Sequence, residues 1–475
     1  MKDLNKDIVS LLYGLSIHYS ADCNMDCAYC YISKKHKFAT TTNQQIRAAL
    51  QDGTFLKNII ALYDNYPEYK DQVDVYALWG AEPTINGEYF AQFHKGIMDN
   101  FPNIQKVEFS TNGWCGGAFL VENFVKPAMA YAIEHKRFLK FDIQFSLDGP
   151  PNINEKTRRP GATARTLEAL HTVIDAVENS PYFQLDLNLK STLSFDTLRG
   201  LCSLQALQEY YNWCDNVMCN LRDWAKDKTS VDYRRVNFTP TFVTPITATV
   251  DDGKMFAQWL RLLTQLDYSH FNYYNNDWLF GMGVAQMHLL LEYGVQNVDH
   301  LYQMLSCSAG KNSWHIEPDG TISDCSHVSP LLMEANFENN KTHQFILDSH
   351  VISQNFSNKE LHHFYGAYAY HAFPHSRFAL FTTAVAALIS AGQLDAKYAT
   401  NHDELLALWF ISSQMGCHLS DQEITGNEFL TTFGRIRIWG NGAVDALKEY
   451  MQFENQRLYM QGDYGYGNVI ECNRS

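Results

Sequence analysis

Six short segments rich in β-branched and aromatic residues recur between residues 14 and 243, separated by longer stretches with helical spacing. That alternation constrains the fold more than any other feature of the chain. The segments are GLSIHYS (14–20), VDVYALWG (73–80), KVEFSTNG (106–113), FDIQFSLDG (141–149), LDLNLKSTLS (185–194) and RVNFTPTFV (235–243). Strands joined through helices predict a parallel sheet covered by helices, with a ligand site at the C-terminal strand ends. At 475 residues and 46% apolar side chains, the chain can fill one or two ordinary cores.

The predicted strand ends carry the polar, turn-forming sequences. The first runs into SADCNMDCAYC, the second into WGAEP, the third into STNG and the fourth into SLDGP. STNG or SLDG alone reads as a good turn, because Asn, Asp and Gly favour that geometry. Four such clusters in step with the strand pattern point to a common mouth.

The first cluster places Cys23, Cys27 and Cys30 in a C-x3-C-x2-C spacing directly after a strand. The start of the chain has no uninterrupted apolar run followed by a small-residue cleavage site, so a cytoplasmic, reducing environment is expected. There, eleven cysteines argue for metal ligands and buried thiols rather than disulfides. Three thiolates on an irregular loop can hold three irons of a four-iron, four-sulfur cluster and leave the fourth iron for a non-protein ligand. A zinc site is the rival reading, but zinc ordinarily takes four protein ligands in pairs, and no second close pair is nearby.

Composition excludes some partners. The net charge of −15 leaves no basic footprint for nucleic acid or an anionic membrane surface. The longest nearly apolar run, residues 378–392, is shorter than the roughly 20 residues needed to cross a bilayer.

Taken with its aromatic Tyr29, the cysteine loop resembles that of radical S-adenosylmethionine enzymes. That superfamily has a Gly-Gly-Glu-Pro motif after the second strand, similar to Gly80, Ala81, Glu82 and Pro83, with Ala81 replacing the second glycine. The resemblance implies a partial (β/α)6 barrel over residues 10–245, and a [4Fe-4S] cluster held by Cys23, Cys27, Cys30 and S-adenosylmethionine. It also implies that carbonyls around Glu82 receive the methionine ammonium. SLDGPPNINEKTRR is similar to the family segment in which Ser146 would meet the ribose and Arg158 or Arg159 the methionine carboxylate. Asp148 reads as a helix or turn cap, and Asn112 as either a site-lining residue or a turn-former.

Cys307, Gly320 and Cys325 resemble the opening element of the SPASM and twitch extensions, whose two thiolates bind an auxiliary iron-sulfur cluster. The later cysteine run of a complete SPASM domain is absent, so one auxiliary cluster is expected, with Cys417 and Cys472 as its further candidate ligands. PDG between the first two thiols predicts a tight hairpin. This auxiliary-cluster domain would span 246–330, followed by a mainly helical C-terminal region at 331–475. Cys115, Cys202, Cys214 and Cys219 read as structural. The histidine-rich stretch 361–375 reads as packing or a partner groove, and Arg435 and Arg437 as surface residues.

By resemblance, the function expected is radical modification of a residue in a peptide or protein substrate, with electrons from an external flavodoxin- or ferredoxin-like reductant. Oxidation, crosslinking and epimerisation all belong to that class. The alternatives are a twitch-type dehydrogenase or rearrangement enzyme acting on a small molecule, and a non-catalytic iron-sulfur protein that binds a partner or senses redox state. Neither nucleic acid nor membrane is an expected partner.

Overall fold

The computed structural model describes residues 14–30, 40–64, 70–232, 237–243 and 250–266, with short pieces at 315–316, 318, 321–323, 345–346, 395–396 and 449. Its framework is an α/β sheet. The strands are β1 (Gly14–Ser20), β2 (Val75–Gly80), β3 (Lys106–Thr111), β4 (Leu139–Ser146), β5 (Phe183–Ser194) and β6 (Asn237–Val243). They lie side by side in chain order, every pair parallel. All six overlap the expected segments, and β1 coincides with its segment.

Helices make the crossovers. They are α1 (Thr40–Gln51) and α2 (Thr54–Asp64) before β2, and α3 (Phe90–Asn100) before β3. Next, α4 (Gly117–Leu120) passes through a π turn at Val121–Val125 into α5 (Lys126–Glu134). After β4 come α6 (Pro151–Thr157) and α7 (Ala162–Ala176); after β5, α8 (Phe195–Gly200) and α9 (Leu204–Ala225); after β6, α10 (Val250–Leu263). Local chemistry sets the starts of α8 and α9, whose Ser194 and Ser203 side chains accept from the Thr197 and Ala206 amides. Along α9, Leu207, Tyr211, Cys214, Met218 and Leu221 recur at helical spacing and are buried.

The expected hairpin is present as β7 (His315–Ile316) and β8 (Thr321–Ser323), antiparallel, with β9 (Phe345–Ile346) beside β8. Unexpectedly, β7 pairs in parallel with β1 and so extends the main sheet. With β2 on one side and β7 on the other, β1 has no edge left for β6, and among the described strands the sheet is open.

The two faces of this sheet differ in chemistry. On one, Phe109, Phe141, Phe145, Leu187 and Leu189 join the main apolar core, where Phe90, Phe109, Phe124 and Phe141 form tilted, stacked and edge-on ring pairs. On the other, β3 contributes Lys106, Glu108 and Ser110, β4 contributes Lys140, Asp142, Gln144 and Ser146, and β5 contributes Gln184, Asp186, Asn188 and Lys190. A parallel sheet covered on both faces reads as continuous apolar runs. These strands alternate instead, so the second face is not a core. Its deeper polar groups pair with one another: Lys106 with Glu108 and Asp142, Lys140 with Asp186, and Asn188 Nδ2 with Asp142 at 2.7 Å. Among the described residues no helix is long and apolar enough to cross a membrane.

Candidate functional site

The loop leaving β1 is held by bonds to segments far away in the chain. Within it, the Cys23 amide donates to Asp22 Oδ1 at 2.8 Å and the Cys30 amide to the Cys27 carbonyl at 3.1 Å. Across it, the Ala28 amide donates to the Thr157 carbonyl at 3.0 Å. Cys23 is buried, 8% exposed, beside Met25 and Ala162, with Cys27, Ala81 and Trp114 at the margin of that small apolar cluster.

Two of the sulfurs have nitrogen donors around them. Cys23 Sγ has the Met25 amide at 3.4 Å and Asn112 Nδ2 at 3.8 Å. Arg158 Nη1 stands 3.9 Å from Cys27 Sγ. Hydrogen-bond donors beside a sulfur are the kind of contact that surrounds and orients a metal ligand. Among the described residues, however, no three His, Cys, Asp or Glu side chains gather around one point as ligands of a single ion.

The segment after β2 is bonded directly to this loop. Gly80 has φ +126°, and a Cβ built there would lie 1.9 Å from the Ser20 carbonyl oxygen. Only glycine allows so close a backbone approach. Beyond it the Ala81 amide donates to the Ser20 carbonyl at 2.8 Å and the Glu82 amide to the Asp22 carbonyl at 3.0 Å. Pro83 then opens a 3-10 turn, Pro83–Tyr89.

Glu82 is buried and already engaged. Its Oε1 accepts from the Thr84 amide at 3.3 Å, Thr84 Oγ1 at 2.7 Å and Thr111 Oγ1 at 2.8 Å, while Oε2 accepts the Asn112 amide at 2.8 Å. Burial raises its proton affinity, with these hydrogen bonds opposing the shift. The carboxylate ties the end of β2 to the end of β3. Asn112 acts as a turn-former, its Oδ1 accepting the Trp114 amide at 2.8 Å, and its Nδ2 donates to Asn24 Oδ1 in the cysteine loop at 2.7 Å.

Asp148 corrects the expectation of a cap. The residue preceding α6 is Pro150, and among the described residues no side chain caps that helix. Asp148 is fully buried and accepts five donors. Arg158 forks onto it with Nη2 at 2.8 Å and Nε at 2.9 Å; the Tyr29 hydroxyl approaches to 2.6 Å, and Thr157 Oγ1 and the Thr192 amide to 2.9 Å. The cysteine loop, α6 and β5 thus meet at one carboxylate. Burial opposes the charge on Arg158, but Asp148, Tyr29 and Cys27 together outweigh it and hold the guanidinium firmly protonated. Burial first, and Asp148 second, push the Tyr29 hydroxyl well above its usual range.

Arg159 takes a different course. It donates to the Asn24 carbonyl at 2.9 Å and stacks 4.1 Å from the centre of the Trp114 ring, bracing the loop from outside. Ser146 ends β4 and pairs in register with Lys190 of β5. Lys190 was not anticipated. Burial, and then the charge of Arg158, lower its proton affinity. Its signal in the sequence was a cation on the polar stripe of a strand whose other stripe is Leu185, Leu187 and Leu189.

Among the remaining thiols, burial pushes Cys115 up to about 12, and Cys214 lies in the main core. Cys307, Cys325, Cys417 and Cys472 lie outside the described residues, as do Arg435, Arg437 and the histidine-rich stretch. No family model matches the chain, and no curated protein sequence matches it.

Proposed function

We propose that the chain is a radical S-adenosylmethionine enzyme, with the partial barrel at 10–245 and with Cys23, Cys27 and Cys30 as ligands of a [4Fe-4S] cluster. The observation that carries this reading is the joining of two motifs 50 residues and more apart. Gly80 brings the Gly-Ala-Glu-Pro segment against the cysteine loop, and two amide-to-carbonyl bonds fix it there. The donors around Cys23 and Cys27 are of the kind that orients a metal ligand. Convergence on one point is not required, because each thiolate of such a cluster holds a different iron.

When bound, the reduced cluster and S-adenosylmethionine would supply a 5'-deoxyadenosyl radical that takes a hydrogen atom from an unreactive carbon. This chain's part is placement. Ser146, at the end of β4, lies level with Lys190 on β5. Arg158 has its fork committed to Asp148, so the methionine carboxylate falls to Lys190 rather than to Arg158. Carbonyls between Gly80 and Glu82 would take the ammonium, since the Glu82 carboxylate is occupied by four donors.

The polar sheet face favours a substrate dense in hydrogen-bonding groups, which a peptide or protein segment supplies and a polar small molecule also would. An auxiliary cluster on Cys307, Cys325 and Cys417, with Cys472 a candidate fourth ligand, and an external one-electron donor belong to the same proposal. Its test is iron and acid-labile sulfide per chain after anaerobic reconstitution. We expect about eight irons in the wild type, falling to about four when Cys23, Cys27 and Cys30 are all alanine. Under reductant, S-adenosylmethionine should yield 5'-deoxyadenosine only with the wild type. No iron in either protein would overturn the reading.

A further inference from the structure

Arg158 lies between a carboxylate and a candidate cluster ligand. Its Nε and Nη2 are bound to Asp148 at 2.9 and 2.8 Å, and the remaining Nη1 faces Cys27 Sγ at 3.9 Å. The site is dry: the Arg158 side chain is 6% exposed and that of Asp148 0%. In such a setting a charge acts strongly on its neighbours and is little screened by salt. Asp148 is also better supplied with donors than an ion pair requires, because Tyr29, Thr157 and the Thr192 amide complete its shell. That shell holds the carboxylate in place.

We propose that Asp148 and Arg158 form a charge couple that sets the reduction potential of the cluster bound by Cys27. The inference rests on the cluster reading above and deepens it. A guanidinium donating toward a ligating sulfur draws electron density from it and makes the cluster easier to reduce, since net charge and hydrogen bonds to sulfur are levers on such potentials. Asp148, on the far side of the same guanidinium, cancels most of that pull. The guanidinium is thereby retained as a positioned donor without its full positive field, which keeps the reduced cluster a strong one-electron donor.

The geometry makes the effect separable from mere support of the fold. Asp148→Asn keeps the shape and removes the negative charge, leaving the guanidinium uncancelled beside Cys27. Asp148→Asn combined with Arg158→Gln removes both charges and restores neutrality. A structural role makes the double variant at least as disturbed as the single one; a charge couple makes it less disturbed.

The experiment is a mediated redox titration of the reconstituted full-length protein, read by electron paramagnetic resonance and compared with a variant lacking the auxiliary-cluster cysteines Cys307 and Cys325. Asp148→Asn should raise the reduced-to-oxidised ratio of the loop cluster at a fixed poise about tenfold, equivalent to about 59 mV for one electron. The double variant should return to within about a third of that shift from wild type. If Asp148→Asn takes up no iron while the double variant does, the uncancelled guanidinium is again the cause. If both lose iron, or both keep the wild-type potential, the proposal falls. A wild type that binds no iron defeats the cluster reading itself, a separate result.

Discussion

The sharpest test of the site's architecture is Gly80→Ala. The Cβ added there would meet three backbone atoms of Ser20, at 1.9, 2.8 and 2.9 Å, none of which can rotate aside. Strands β1 and β2 must then separate where the cysteine loop leaves β1. Three costs add: about 1–3 kcal/mol for a non-glycine residue at φ +126°, about 1–3 kcal/mol for overpacking, and about 1 kcal/mol for the Ala81-to-Ser20 hydrogen bond. The sum, about 3–7 kcal/mol, is a large part of the stability of an ordinary domain. Gly161→Ala is the control, because Gly161 has φ +79° but, among the described residues, no atom within 4 Å of its added Cβ, so only the strain of about 1–2 kcal/mol applies. Urea unfolding of both variants by circular dichroism, with the slope checked for constancy, gives the overpacking and the lost hydrogen bond together as their difference. Equal losses, within about 0.5 kcal/mol, would refute the close approach that joins the two motifs.

Three further outcomes are expected. Tyr29→Phe removes the hydroxyl 2.6 Å from Asp148 and should cost about 1–3 kcal/mol in urea, with the loop's amides exchanging faster with solvent while those of β5 do not. Lys190→Met should weaken S-adenosylmethionine binding at least about tenfold by equilibrium dialysis while leaving iron content unchanged, the value of one charge-assisted bond. Asp215 tests burial away from the site: its carboxyl is pushed up to about 7 by burial, against the opposing charge of Arg222, and among the described residues neither oxygen has a hydrogen-bond partner. The folded state therefore keeps a proton that the unfolded chain has released between about pH 4 and pH 7, and stability falls as pH rises through that window. Asp215→Asn should flatten the fall and stabilise the protein by about 2–4 kcal/mol at pH 8; an unchanged pH profile would locate the effect elsewhere.

What could be read from the sequence divides along a physical line. The six strands were legible because burial of one stripe imposes a period of two on Phe141, Ile143 and Phe145 or Leu185, Leu187 and Leu189 over enough residues to stand out. The PDG hairpin was legible from turn chemistry, but its pairing with β1 was not, since two-residue β7 has no period to detect. The cysteine loop was found through local spacing, and the Gly-Ala-Glu-Pro segment through its place at a strand end and its resemblance to a family motif. Asp148 was misread because Asp-Gly before proline is locally a turn signal, while its partners are contributed by Arg158 ten residues on, Thr192 on another strand and Tyr29 119 residues away. A carboxylate's role depends on which donors the fold delivers to it, which no local window contains. The signal that was available lay in the opposite stripe of β3, β4 and β5, where ions and amides occupy positions that a sheet covered on both faces would fill with apolar side chains. That conflict between the strand pattern and the expected burial marks the sheet's polar face as a place where the chain is built for something other than its own core.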